Sequence, residues 1–237
     1  MRKTLVLFTI SVIVVACTNN NELSRAQDLY KQAQENLDAT TSKVALNQLI
    51  MLYISNLAYK DSLARLYMQT GNYKAGSKLA DEVIAKGNPD TKLMEMAALS
   101  YQQLSEGTKA ERLIDMLLAN TNNSKYLYQK MVLQSEKGDL IMFDSLSNKL
   151  LQKIDSDSLV ARTTVSMPDP TTGADQQVPL KAATYFVIGN NAFEKEQNIG
   201  KAVEYFKKSV EEFDNFLMAR YYLTEIARMQ QQRGFIR

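Results

Sequence analysis

Histidine and tryptophan are absent from these 237 residues, and cysteine occurs once, at Cys17. Without His the chain lacks the side chain that changes charge near neutral pH, which is also the commonest metal ligand. A single Cys forms no intrachain disulfide and, with no His, no Cys/His zinc cluster. Ser-His-Asp and Cys-His catalytic arrangements are likewise excluded. Only 4 Pro and 9 Gly are present, which favours long uninterrupted helices over a turn-rich β-protein. There is no Gly-rich phosphate loop, and Gly87-Asn88-Pro89-Asp90 reads as a helix stop. Paired carboxylates such as Glu211-Glu212 lie beside Lys207 and Lys208 and read as solvated helix faces. The expectation is a chain that is not an enzyme and that needs no cofactor and no metal.

Charge of one sign is also missing. Basic residues number 28 and acidic residues 26, for a formal charge of +2. Arg2 and Lys3 lie in an N-terminal segment that reads as cleaved, which leaves the mature chain formally neutral. A nucleic-acid partner is not expected, because binding phosphates requires a basic face that displaces counterions. The same neutrality argues against electrostatic attraction to anionic lipid as the main membrane anchor.

No hydrophobic run is long enough to span a bilayer. The apolar stretch Thr4 to Ala16 has 13 residues, and at about 1.5 Å per residue it falls short of a hydrocarbon core roughly 30 Å thick. A basic start, a short apolar run and small residues ahead of a break are the features of a secretory signal over residues 1–16. The break is Val14-Val15-Ala16-Cys17, which resembles the lipobox of bacterial lipoproteins. That resemblance implies a diacylglyceryl thioether on Cys17, cleavage before it and acylation of the new amino group. Several acyl chains, each contributing about 0.8 kcal/mol per buried CH₂, hold a protein without a spanning helix. Residues 17–21 then form the lipidated Cys and a polar tether. Thr18 does not match the acidic residue that retains lipoproteins at the inner membrane. The resemblance therefore implies an outer-membrane location facing the periplasm, with the cell surface as the alternative.

The body of the chain carries a period of 34. Leu63, Ala64 and Tyr67 make one apolar stripe, Gly71-Asn72 breaks it, and Gly76, Ala80, Val83 and Ile84 make a second. Both stripes have the spacing of a buried helix face. Adding 34 carries Ala64 to Ala98, Tyr67 to Tyr101, Gly76 to Ala110, Ala80 to Ile114 and Val83 to Leu117. Small residues recur where two helices of one hairpin press together, and Tyr recurs where successive hairpins meet. A further unit is Tyr185, Ile188, Gly189, Ala192, Ala202, Phe206 and Ser209. The fit is poor around Met131 and Gly138.

On these residues the chain resembles the tetratricopeptide repeat (TPR). The resemblance implies an all-α solenoid of helical hairpins wound as a right-handed superhelix, here with one irregular insertion. Hairpins are expected from residues 22–38 with 42–55, 57–70 with 73–87, 91–105 with 108–120, and 124–137 with 140–154. Residues 182–196 and 199–213 form a late repeat, and 216–232 a closing helix that covers the last apolar face. The domains expected are N-terminal repeats over 22–155, an insertion over 156–181 and a C-terminal unit over 182–237. The insertion holds Pro168, Pro170 and Pro179, which helix cannot run through. Val160 to Val165 is β-branched enough to pair locally. It reads either as a surface insertion between repeat blocks or as an arm that touches a partner.

The TPR resemblance also implies a binding groove lined by the first helix of each hairpin. The matching residues are Arg65, Gln69, Gln102, Gln103, Asn190 and Phe193, with Asp61, Met68, Glu95, Leu99 and Phe186 beside them. This mixture suits contacts to an extended peptide backbone. The expected function is a membrane-anchored scaffold of the cell envelope that binds a protein or peptide. The alternatives are an accessory lipoprotein for glycan or nutrient uptake, weakened by the absence of Trp, and an outer-membrane assembly component.

Overall fold

Asn or Asp stands immediately before most helices, and these residues divide the chain into its elements. The computed structural model describes residues 21–87 and 90–234. The segment read as a signal, Cys17, residues 18–20, Asn88, Pro89 and residues 235–237 lie outside the described residues. The helices are α1 (residues 21–35), α2 (Ala39–Leu52), α3 (Leu57–Gln69), α4 (Tyr73–Lys86), α5 (Thr91–Gln103), α6 (Gly107–Thr121), α7 (Ser124–Lys137), α8 (Leu140–Ser156), α9 (Ser158–Ala161), α10 (Leu180–Glu194), α11 (Ile199–Glu212) and α12 (Leu217–Gly234). Two strands, β1 (Thr164–Pro168) and β2 (Asp175–Pro179), lie between α9 and α10. Asp38, Asn56, Asn72, Asp90, Asn123, Asp139, Asp157 and Asn198 each accept a backbone N–H from the first turn of the helix that follows. Each such cap satisfies a donor that the helix itself leaves unpaired. Gly71 and Gly138 close α3 and α7 with φ of +80° and +76°, a conformation that costs a residue without Cβ nothing.

The chain divides into two compact units, Met1–Leu113 and Ile114–Arg237. In the first, Ala26, Leu46, Leu49 and Leu63 form a core joining α1, α2 and α3. The α3–α4 pair closes where Gly76 meets Ala64. A Cβ on Gly76 would stand 2.9 Å from the Ala64 carbonyl oxygen and 2.4 Å from Met68 Cγ. Ala64, Ala80, Ala98 and Ala110 are all buried, so the small residues of the 34-residue register do lie inside. The same period orders the polar contacts between hairpins. Asn47 of α2 donates to the Tyr67 hydroxyl at 3.4 Å. The equivalent pair 34 residues on is Tyr101, whose hydroxyl donates to Asp81 of α4. Lys43 and Lys109 lie over the faces of Tyr67 and Tyr101, at 5.7 and 4.9 Å from the ring centres. Burial, and then the neighbouring Asp81 carboxylate, push the Tyr101 hydroxyl up to about 12.

The second unit has two clusters. One joins Leu127, Met131, Phe143, Leu150 and Ile154 to Leu180 and Ile188, so α7 and α8 pack together despite the weak repeat pattern around Met131 and Gly138. The other gathers Phe186, Phe206, Phe216 and Tyr222, with ring centres 5.3 to 5.6 Å apart, and α12 covers it. Each buried aromatic side chain of this kind contributes about 1.5–3 kcal/mol. Lys181 at the start of α10 holds Asp155 at the end of α8 and Glu212 at the end of α11, at 3.1 and 3.0 Å.

The insertion is ordered where an irregular segment was expected. The strands β1 and β2 pair antiparallel, Val165 opposite Val178 and Met167 opposite Gln176. Those four face inward, and Val178 is fully buried. The turn between them is built by Asp169, whose carboxylate accepts from the Thr171 amide and from the Thr171 and Thr172 hydroxyls at 2.5 to 2.8 Å. Near the turn end of the hairpin, Gln176 donates to the Asn215 carbonyl at 2.6 Å and accepts from the Leu217 amide at 3.3 Å. The segment fastens the start of α12 to the body of its own unit.

Candidate binding surface

In unit 1 the first helix of each hairpin carries the chemistry. Tyr30, Ala33, Gln34 and Leu37 follow one another along α1 and its turn at i, i+3, i+4 and i+7. Ser62, Arg65, Leu66 and Gln69 do the same along α3. Both rows therefore form single helix faces. Together with Ala39 and Ser42 they line one cleft of about 470 Å³. Gln34 donates to the Tyr30 hydroxyl at 2.9 Å, which fixes two polar groups on the α1 wall. The opposite side of α3, carrying Leu63, Ala64 and Met68, is buried.

Among the described residues that line the cleft, Arg65 alone carries a formal charge, and it is held from two sides. Its Nε–H donates to the Asp61 carboxylate at 2.9 and 3.1 Å, and one Nη2–H donates to Asp90 at 2.7 Å. Asp90 also caps α5 through the Leu93 amide at 2.7 Å. These bonds, that to Asp61 foremost, raise the guanidinium above its ordinary value. Arg65, followed by the Leu93 amide, holds the Asp90 carboxyl below the usual carboxylate range. The Arg65 side chain remains 20% exposed. Its guanidinium edge lines the cleft in an orientation fixed before any ligand arrives, and with its two carboxylate partners it forms a cluster of formal charge −1.

The structure places the other expected groove residues as follows. Gln69 is exposed at the end of the cleft. Leu99 and Gln103 are exposed on α5, and Gln102 there is half-buried. In unit 2, Asn190 is half-buried on α10, and its Oδ1 is enclosed without a hydrogen-bond partner among the described residues. Phe193 stands edge-on to Tyr222 of α12 at 6.2 Å. It lines a second cleft of about 380 Å³ with Gln197, Ile199, Ile226, Met229 and Gln230. Two expected groove residues belong to the core instead. Met68 is buried over Gly76, where the missing Cβ leaves room for a thioether side chain. Phe186 is buried in the aromatic cluster under α12. Conversely, the α1 wall of the cleft, Tyr30 and Gln34, was not foreseen. The i, i+3, i+4, i+7 row in α1 is the signal that would have revealed it.

Among the described residues no cluster of His, Cys, Asp or Glu is arranged to hold a metal ion. None of the described helices is long and apolar enough to cross a membrane.

No protein-family profile matches the chain, and no curated protein matches its sequence. Solved structures do match its fold. One is described as "YrrB: a TPR protein with an unusual peptide-binding site", with a TM-score of 0.60, 14% identity, and coverage of 88% of this chain and 96% of that one. A MamA protein gives 0.60 at 13% identity, covering 82% and 93%. MamA from Desulfovibrio magneticus RS-1 gives 0.58 at 9% identity, covering 82% and 97%. The fold is all-α and TPR-like.

Proposed function

We propose that this chain is a non-enzymatic scaffold that binds a protein or peptide, and that unit 1 makes the contact through the cleft between α1 and α3. The supporting observation is the cleft itself. Two helix faces line it with two hydroxyls, two amides, a pre-oriented guanidinium and the apolar side chains of Leu37 and Leu66. An extended peptide offers a backbone that such groups can bond and side chains that apolar walls can hold. The YrrB likeness agrees with this reading, since that TPR protein is described as having a peptide-binding site. The Val14-Val15-Ala16-Cys17 motif supports anchoring by lipid on Cys17. Thr18 favours the outer membrane and its periplasmic side.

Photo-crosslinking in cells tests the cleft. A benzophenone amino acid at Gln34 or Gln69 is expected to capture a discrete partner. The same probe at Lys78, exposed on the second helix of its hairpin, is expected to capture little. Equal, diffuse adducts from all three positions would remove the cleft as the binding surface.

A further inference from the structure

Unit 1 leaves large apolar side chains in water at both ends of α1, Leu37 alone at one end and a group of three at the end where α1 begins. At the α2–α3 junction Met51 is 82% exposed, Ile54 74% and Tyr53 52%. The start of α1 lies beside them. Glu22, Arg25, Ala26 and Leu29 share a cleft of about 390 Å³ with Gln48, Met51 and Leu52. Met51, Tyr53 and Ile54 fall within four consecutive residues and form the apolar rim of the α2–α3 junction, with Met51 also lining the mostly apolar cleft. Isolated exposed apolar residues need no explanation, but a contiguous group marks a contact surface. Glu22 and Arg25 beside it have opposite signs, so charge does not select the partner.

The position of Cys17 selects it. Cys17 stands four positions before the first residue of α1, with three residues between them. Even fully extended, at 3.3–3.6 Å per residue, that length reaches about 14 Å. A lipid on Cys17 therefore keeps this end of unit 1 against the headgroups. The α1–α2 turn at Leu37 lies at the other end of α1, about 20 Å away along its axis. Tyr favours the boundary between headgroups and acyl chains, where its ring is apolar and its hydroxyl wet. Met and Ile supply apolar area beneath it.

We infer that the α2–α3 junction rests on the bilayer holding the Cys17 lipid, with Met51, Tyr53 and Ile54 entering the interface. This inference depends on the anchoring proposed above. The rim then acts as a second, weaker membrane contact that orients unit 1, with the Leu37 turn away from the surface.

The test uses the full chain expressed in its envelope, extracted, and reconstituted into vesicles of phosphatidylethanolamine and phosphatidylglycerol. A thioether at Cys17 leaves no native thiol, so one added cysteine is the only labelling site. Ile54→Cys, Met51→Cys and Leu37→Cys each receive an environment-sensitive fluorophore, and quenching by doxyl-labelled lipid is compared. All three positions are exposed, and circular dichroism checks that each variant is folded. Labels at 54 and 51 are expected to shift to the blue and to be quenched several-fold more strongly by lipid than the label at 37. Equal lipid quenching at all three positions overturns the placement. So does a label at 51 shielded while 54 stays in water, which would assign the cleft to the chain's own acyl group or to a second copy. Intact mass separates the two levels of failure. A chain without acyl mass, whose Cys17 takes the label, overturns the anchoring and the placement together. An acylated chain with position 54 in water overturns the placement alone.

Discussion

At Gly189 the backbone of α10 runs so close to α11 that a Cβ would sit 2.8 Å from the Phe206 ring and 3.3 Å from the Ala202 carbonyl oxygen. Phe206 is fully buried and packed against the rings of Phe186 and Tyr222. Two effects compete in Gly189→Ala. Helix propensity favours Ala by about 1 kcal/mol, and overpacking a filled core costs about 1–3 kcal/mol. Because the ring and a backbone oxygen both resist, overpacking wins. Thermal or urea unfolding is expected to show a net loss of up to about 2 kcal/mol, and a raised midpoint would refute the close approach. Asp169 makes a residue-scale prediction about pH. The Thr172 hydroxyl, then the Thr171 hydroxyl and amide, hold its carboxyl at about 2, below its usual 3.8. A depressed carboxyl stabilises the fold above its unfolded value, and that contribution fades as pH falls through the folded one. The turn is therefore expected to be intact at pH 4 and to loosen toward pH 2. A carboxyl carbon titration should give Asp169 a midpoint near 2, and a midpoint near 4 would show that the hydroxyl bonds are not held in solution. Small residues such as Ala64, Gly76, Ala98 and Gly189 were legible in the sequence because close helix approach admits few alternatives. Met68 and Phe186 were not. Met68 is buried because its neighbour lacks a side chain, and Phe186 because Phe216, just before α12, and Tyr222 within it supply rings from distant positions of the chain.

The elements themselves were largely written in local signals, since a cap residue and a helical stripe act over a few positions. The sequence places hairpins at 57–70 with 73–87 and at 124–137 with 140–154. The structure has α3 with α4 and α7 with α8 at nearly those bounds. The insertion was less legible. Its prolines show where helix stops but not which two five-residue segments pair. That register follows from Val165 and Val178 sharing an inward face and from the Asp169 turn, and both depend on the core beneath. Within this element, Gln176 bonds both the Asn215 carbonyl and the Leu217 amide. Gln176→Ala removes the side-chain acceptor at the start of α12, a loss comparable to an N-cap deletion of about 1 kcal/mol. Amide exchange at the first turn of α12 is expected to quicken several-fold while α10 and α11 remain protected. Uniform exchange rates would show that the strap does not hold the helix.

For the whole molecule, the near balance of charge distinguishes two ways of staying on a membrane. A chain held by basic patches leaves when salt screens them, because the Debye length shrinks to about 3 Å at 1 M. A chain held by acyl groups does not. Washing membranes with molar salt is therefore expected to leave this protein in the pellet, and detergent is expected to release it. Release by salt alone would contradict lipid anchoring. Partner identity was not legible at this scale. The cleft proposed to bind is assembled from faces of α1 and α3 whose residues are unremarkable one at a time. Arg65 illustrates this, because its role as a fixed edge depends on Asp61 and on the cap of a different helix.

The hydroxyl of Tyr67 meets position 47, and that of Tyr101 meets position 81, twenty residues upstream in both cases. Such a rule is indifferent to how many hairpins precede it. A second copy of residues 57–90 spliced in after residue 90 would offer its own Tyr67 to the Asp81 before it, and its own Asp81 to the Tyr101 after it. The array could thus lengthen by tandem duplication of one coding segment, with each newcomer inheriting both halves of a working joint.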